Sequence, residues 1–182
     1  MKSNAILALG IDPGNVQSAT AVFNTGSAEA CRLTKIPNGD MFAWLEECVK
    51  ECTAANVDFV VGIEQIRSYG MAIGATVLDT VHWSGRFHEH LLATLGVSRV
   101  ELIPRRDVKM HLCQNNRAKD TNVNHAIADR YGGVKKCKGT RKNPGPLYGI
   151  ANDMWAALGV AITLGENTVA GGVYEYGSAW SR

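Results

Sequence analysis

The chain has 182 residues, 46% of them hydrophobic and 20% charged, with a formal net charge of +2. That length suits one domain with a sizeable core, and the balance is that of an ordinary soluble globular protein. No apolar run approaches the roughly 20 residues of a bilayer span, and there are neither repeats nor low-complexity segments.

The opening MKSNAILALGIDPG lacks a small-residue cleavage site, so Ala5 to Ile11 reads as a buried strand and not as a signal peptide. Asp12-Pro13-Gly14-Asn15 is a turn signal, Ser18 to Phe23 a second strand, and Glu29 to Lys35 a third. A helix starts at Asn38-Gly39-Asp40 with Asp40 as N-cap, keeping Phe42, Leu45, Val49 and Cys52 at helical spacing. Phe59 to Ile63 is an unbroken apolar run, fit for a central strand covered on both faces, and it ends in Glu64.

Ala72 to Leu95 carries two apolar stripes. One runs Ile73, Val77, Thr80, Ser84, Phe87, Leu91, the other Leu78, Val81, Gly85, His88, Leu92. A helix apolar on two sides buries both, and the second partner is another helix or a second subunit, with a subunit favoured. Arg99 to Ile103 is a strand closed by Pro104, Arg105 to Cys113 and Thr121 to Tyr131 are helices, and Gly132 to Tyr148 is a basic loop. Asn152 to Leu164 is the closing helix, which sets a domain over 1–165 and a C-terminal tail over 166–182. The order of elements is that of a mixed α/β sheet.

Three acids stand where folding alone would not put them. Asp12 ends the first strand, Glu64 ends the most apolar strand, and Asp153 opens an otherwise apolar helix. Ionised carboxylates beside a core are costly unless paired or bound to a cation. If the two strands are parallel neighbours, Asp12 and Glu64 emerge at the carboxyl edge of the sheet, where α/β proteins place their sites. Hard oxygen donors of this kind suit Mg²⁺ or Mn²⁺. Each acid also has a plain reading: a turn former, a partner for an arginine, and a helix-start residue.

The cations are uneven. Arg105, Arg106 and Lys109 cluster, Arg117 and Lys119 follow, and Lys135, Lys136, Lys138, Arg141 and Lys142 fall within eight residues. That asymmetry suggests an edge facing a polyanion, against the alternative of a solvated loop. His111 beside the cluster is a lesser candidate for a phosphate contact. His88-Glu89-His90 reads as a solvated face, because side chains two apart on a helix diverge. Trp44, Trp83 and Trp155 read as core or interface. Cys31, Cys48, Cys52, Cys113 and Cys137 form no CxxC and no zinc set, and read as reduced thiols of a cytoplasmic protein.

Gly10-Ile11-Asp12-Pro13-Gly14 resembles the opening motif of the RuvC-like Holliday junction resolvases. Val61-Gly62-Ile63-Glu64-Gln65 is similar to their second acidic motif. Val108-Lys109, then Lys119 ahead of Val123 and His125, is similar to their basic segment, and Asn152 to Thr163 resembles their closing helix. The opening motif is also similar to the Gly-x-Asp-x-Gly loop of actin-type and sugar-kinase ATPases, but that architecture needs two such domains and this chain has room for one. The resemblance implies a ribonuclease-H-like mixed five-stranded sheet flanked by helices, a homodimer through Ala72 to Leu95, and symmetric nicking of four-way junctions. It further implies Mg²⁺ or Mn²⁺ at a two-metal site with Asp12 shared, Glu64 and Asp153 completing it, and Lys109 and Lys119 meeting DNA. Small divergent members of that family are typical of bacteriophages, so the resemblance implies a bacteriophage source.

Two departures stand out. The family commonly carries an acid or His one helical turn after the third acid, where this chain has Ala156. It often places an aromatic shortly after the glutamate, where this chain has Arg67, with Tyr69 two residues on. Arginine and tyrosine both stack on bases, so both are candidate DNA contacts. A looser flap- or fork-cutting nuclease and a non-catalytic junction-binding relative are the alternatives within this reading.

Overall fold

The structure is a computed structural model that describes residues 5–68, 70 and 72–172. Strands β1 (Ile6–Asp12), β2 (Gln17–Asn24), β3 (Glu29–Pro37), β4 (Asp58–Gln65) and β5 (Val100–Pro104) form one sheet in the order β3-β2-β1-β4-β5. β1 pairs antiparallel with β2 and parallel with β4, and β4 pairs parallel with β5. The parallel pairing aligns Gly10 with Gly62 and Ile11 with Ile63, so the ends of β1 and β4 leave the sheet on the same edge.

The sheet is covered on both faces, and strand alternation sorts its residues between them. Leu9, Ile11, Val61 and Ile63 point to helices α1 (Asn38–Ala54) and α2 (Ala75–Glu89), packing with Met41, Leu45, Phe87 and Leu91. Ala8, Ala19, Ala21 and Val60 point to the other face, under α6 (Asp153–Val169), with α3 (Arg105–Cys113) and α4 (Asp120–Arg130) alongside. That face is lined with small residues, and α6 lies close upon it. A Cβ on Gly10 would stand 2.0 Å from the Ala157 carbonyl oxygen and 2.6 Å from the Ala161 nitrogen.

Several boundaries differ from those the sequence predicts. α1 begins at Asn38, preceded by Pro37, and Asp40 lies in its first turn without acting as a cap. Asn38 is buried instead: its Oδ1 accepts a hydrogen bond from the Ser18 hydroxyl at 2.7 Å, and its Nδ2 donates to the Gly14 carbonyl at 2.9 Å. α2 begins at Ala75 and passes into a π-helical turn over His90–Thr94. The segment Gly132 to Tyr148 contains a short helix, α5 (Val134–Lys138), and a tight turn in which the Thr140 amide donates to Asn143 O and the Gly145 amide to Lys138 O. α6 runs past Leu164 to Val169.

Of the first stripe Ser84, Phe87 and, past the end of α2, Leu91 are buried, while Leu78, Val81, Gly85 and Leu92 of the second are exposed on the single chain. Trp155 lies in the core under α6, and Trp44 and Trp83 pack against the opposite core. The five cysteines are free thiols. Among the described residues no helix is long and apolar enough to cross a membrane.

Candidate active site

Asp12 and Glu64 reach the same sheet edge because their strands are parallel neighbours, and both side chains fall on the α6 face, in step with Gly10 and Gly62. α6 then opens with Asp153 over that edge. The loop after Asp12 is held from beneath: the Gly14 amide donates to Ser18 Oγ at 3.2 Å, and Ser18 in turn donates to buried Asn38. α6 starts from Asn152, whose φ of +43° is in a region that L residues seldom adopt, an ordering cost accepted at the residue before an acid.

The acids interact strongly. Burial, then the charges of Glu64 and Asp153, push Asp12 up from its ordinary 3.8 to about 8, against the opposing pull of Arg105 and Lys35. Burial also raises Glu64, with Arg105 and Lys109 opposing it and Asp120 and Asp153 adding to it. Among the described residues the buried Oε2 of Glu64 accepts no hydrogen bond, and Arg105 Nη1 lies 3.6 Å from it. Asp153 Oδ2 is paired with the ammonium of Lys35.

The expected metal set is thus gathered in charge but not closed in geometry. Among the described residues, no group of three or more His, Cys, Asp and Glu side chains is drawn up to hold a metal ion as it stands. The protein's own cations engage the acids: Lys35 takes Asp153 and Arg105 faces Glu64. The donor chemistry nevertheless fits a hard divalent cation, because an orphaned buried carboxylate oxygen and an acid with an upward-shifted pKa are what such an ion relieves.

The predicted cations divide into three groups. Arg105 and Lys109 belong to the acid cluster, with Arg105 Nη2 at 3.0 Å and Lys109 Nζ at 3.3 Å from Asp120 Oδ1. Asp120, exposed at the head of α4, is held below its ordinary value by these two partners. Arg106 is exposed beside Asp107, Arg117 is exposed, and Lys119 is exposed at the head of α4, where its amide donates to Asn122 Oδ1 at 3.0 Å. Among the described residues the Lys119 ammonium joins no ion pair with these acids. Lys135, Lys136, Arg141 and Lys142 are exposed, and Lys138 lies 5.6 Å over the Trp155 ring. Arg67 is exposed just beyond Glu64, its Nε donating to Gln65 Oε1 at 2.6 Å. Tyr69 lies outside the described residues. His111, the lesser candidate for a phosphate contact, pairs at 2.6 Å with Glu166, which also binds Arg130.

Sequence reasoning missed Lys35 and Asp120. Asp120 adjoins Lys119 and was readable as an acid at a helix start. Lys35 is legible only through strand register, which puts it opposite Ala19, itself opposite Asp12.

No family model matches the chain, and no curated protein matches it. Among solved structures, RuvC of Thermus thermophilus is similar over 91% of this chain and 96% of that chain, with a TM-score of 0.55 and 17% identity. The T. thermophilus RuvC in complex with a Holliday junction substrate is similar over the same shares, with a TM-score of 0.58 and 15% identity. Likeness at this identity is likeness of fold, and the five-stranded mixed sheet flanked by helices is the ribonuclease-H-like α/β fold of RuvC.

Proposed function

We propose that this protein is a divalent-metal-dependent endonuclease acting on branched DNA, foremost four-way junctions. The observation that carries the reading is the meeting of Asp12, Glu64 and Asp153, from three separate elements, in one electrostatic cluster that raises Asp12 to about 8. The similarity to a protein solved with a Holliday junction substrate supports the choice of DNA.

Mg²⁺ or Mn²⁺ bound by Asp12, Glu64 and Asp153 would supply Lewis-acid activation of water and stabilisation of the leaving 3′-oxygen. The chain's own residues do the rest. Lys109, at the flank of Glu64, offsets charge developing on the phosphate. Lys119, Arg106, Arg117 and the cations from Lys135 to Lys142 track the DNA backbone, while Arg67 and Tyr69 are placed in sequence to meet an unstacked base. A homodimer through the exposed stripe Leu78, Val81 and Leu92 presents two such sites to opposed strands. The setting is the cytoplasm of a bacterial or phage-infected cell.

Ala156 and the pairing of Asp153 with Lys35 favour a second reading, a junction-binding relative without nuclease activity. Nicking by the wild-type protein separates the two, and Asp12→Asn tests the site. Junction cleavage in Mg²⁺ or Mn²⁺ should vanish while junction binding persists; full cleavage in the variant refutes the acid cluster as the catalytic site. A wild-type protein that binds and never nicks selects the second reading. Comparing junction, fork and linear duplex at matched salt tells a junction enzyme from a broader branch-cutting one.

A further inference from the structure

We infer that Lys35 is a functional member of the acid cluster, its ammonium standing in the place of a second divalent cation, so that the three carboxylates load one divalent ion instead of two. This rests on the metal-dependent reading above and narrows it.

The geometry comes from the sheet. Asp12 lies opposite Ala19, and Ala19 lies opposite Lys35, so the three form one row across β1, β2 and β3. Residues directly opposed in antiparallel pairs share a face, which puts Lys35 on the face that carries Asp12. Two strand spacings of about 4.8 Å separate them. The fully buried Ala19 stands between them in that row, and the lysine ammonium pairs with Asp153 Oδ2.

The chemistry agrees. A second ion would have to draw on Asp153, since Ala156, one helical turn on, offers no donor. Asp153 Oδ2 already has its cation in Lys35.

Charge balance gives the same count. The groups that face one another are the acids Asp12, Glu64, Asp153 and Asp120 and the cations Lys35, Arg105 and Lys109, a balance of one negative charge when all are ionised. A phosphodiester adds a second negative charge. One divalent cation brings the cluster to neutrality; two would leave two uncompensated positive charges in a partly buried site, which is unfavourable.

The test is calorimetric titration of Mn²⁺ into the full-length metal-free protein, on wild type, Lys35→Met, Lys35→Arg and Asp12→Asn, each first checked for a cooperative melt; Lys35→Gln replaces the methionine variant if that one does not fold. The expected result is one Mn²⁺ per chain in wild type and Lys35→Arg, a second in Lys35→Met, and none in Asp12→Asn. Cleavage should correspondingly pass from first to second order in Mn²⁺ in Lys35→Met, with a rate at subsaturating metal lower by about 10²-fold, the usual loss for one electrostatic stabiliser. Two ions in wild type overturn the inference, as does a single ion of unchanged affinity in Lys35→Met. Wild type and Asp12→Asn taking up Mn²⁺ alike would refute the metal-dependent reading itself.

Discussion

Placing Ala at position 10 tests whether the close seating of α6 builds the site. The new Cβ would lie 2.0 Å from Ala157 O, 2.6 Å from Ala161 N and 3.0 Å from Ala157 C, where ordinary contact begins near 3.4 Å. All three atoms are helix backbone, so no rotamer change relieves the clash, and α6 must rise by about 1 Å or more at its middle. Overpacking a well-filled core costs about 1–3 kcal/mol, and rigid neighbours put this case at the upper end. For a chain of this size that is a fall in melting temperature of roughly 6–12 °C. Because α6 opens with Asp153, a displacement of this order also spoils the carboxylate geometry, and a misplacement of about 1 Å costs up to 10²-fold in rate. Gly62→Ala is the internal comparison. Its Cβ would meet Val160 Cγ1 at 2.9 Å and Ile103 Cδ1 at 3.0 Å, side-chain ends that can give way, so the loss stays under about 1.5 kcal/mol. Thermal melts followed by circular dichroism, with junction cleavage on the folded fractions, read both effects. A Gly10→Ala protein that melts with or above Gly62→Ala refutes the argument.

Three further outcomes are expected. Asp12, at about 8 in the folded protein against an ordinary 3.8, binds its proton more tightly when folded, so its contribution to stability is complete below about pH 4 and is lost as pH rises through about 8. The metal-free protein should therefore melt lower at pH 8 than at pH 5, and Asp12→Asn should exceed wild type at pH 8 by roughly 1–3 kcal/mol, about 2–12 °C, with a flatter profile; parallel profiles refute this. Replacing Lys135, Lys136, Arg141 and Lys142 together by Gln should flatten the slope of log affinity against log salt by about 0.9 for each phosphate no longer neutralised, with the melt little changed; an unaltered slope makes the segment merely solvated. Leu78→Glu with Val81→Glu, at residues 59% and 45% exposed, should turn a dimer into a folded monomer in sedimentation equilibrium, and a double variant that stays dimeric assigns the interface to another surface.

Periodicity made the sheet and the main helices legible. The alternation of Ala8 and Gly10 with Leu9 and Ile11 distinguishes the two faces of β1, and the apolar run before Glu64 marks its parallel neighbour. Misread segments are those whose local composition is overruled by tertiary partners. Gly132 to Tyr148 has the lysines, glycines and prolines of a loop, yet Cys137 and Leu147 are fully buried and joined by a hydrogen bond from the Leu147 amide to Cys137 O, which closes an ordered turn. The polar Glu166-Asn167-Thr168 looks like the end of α6, but Glu166 is bound by His111 of α3 and Arg130 of α4, and the helix continues beneath them. A contact between helices of distant sequence has no local signature.

The position of Lys35 shows the same limit more sharply. Counting back along the β2–β3 hairpin from Asn24 opposite Glu29, an unbroken ladder would set Lys35 opposite Ser18, on the face away from the acids. A one-residue irregularity between Thr20 and Val22 resets the register and sets Lys35 opposite Ala19 instead. The extra residue falls in the stretch that contains Arg32, which holds a φ of +52°, a conformation that costs energy for a residue with a Cβ. Arg32 is secured there by its ion pair with Glu51 and a contact from Nη1 to Cys48 Sγ at 3.1 Å, both on α1. An arginine anchored to a helix on one face of the sheet thus fixes the bulge that turns a lysine toward the other. The cation content of the acid cluster is decided by that register, so the bulge at Arg32 belongs to the construction of the site although it touches none of its carboxylates.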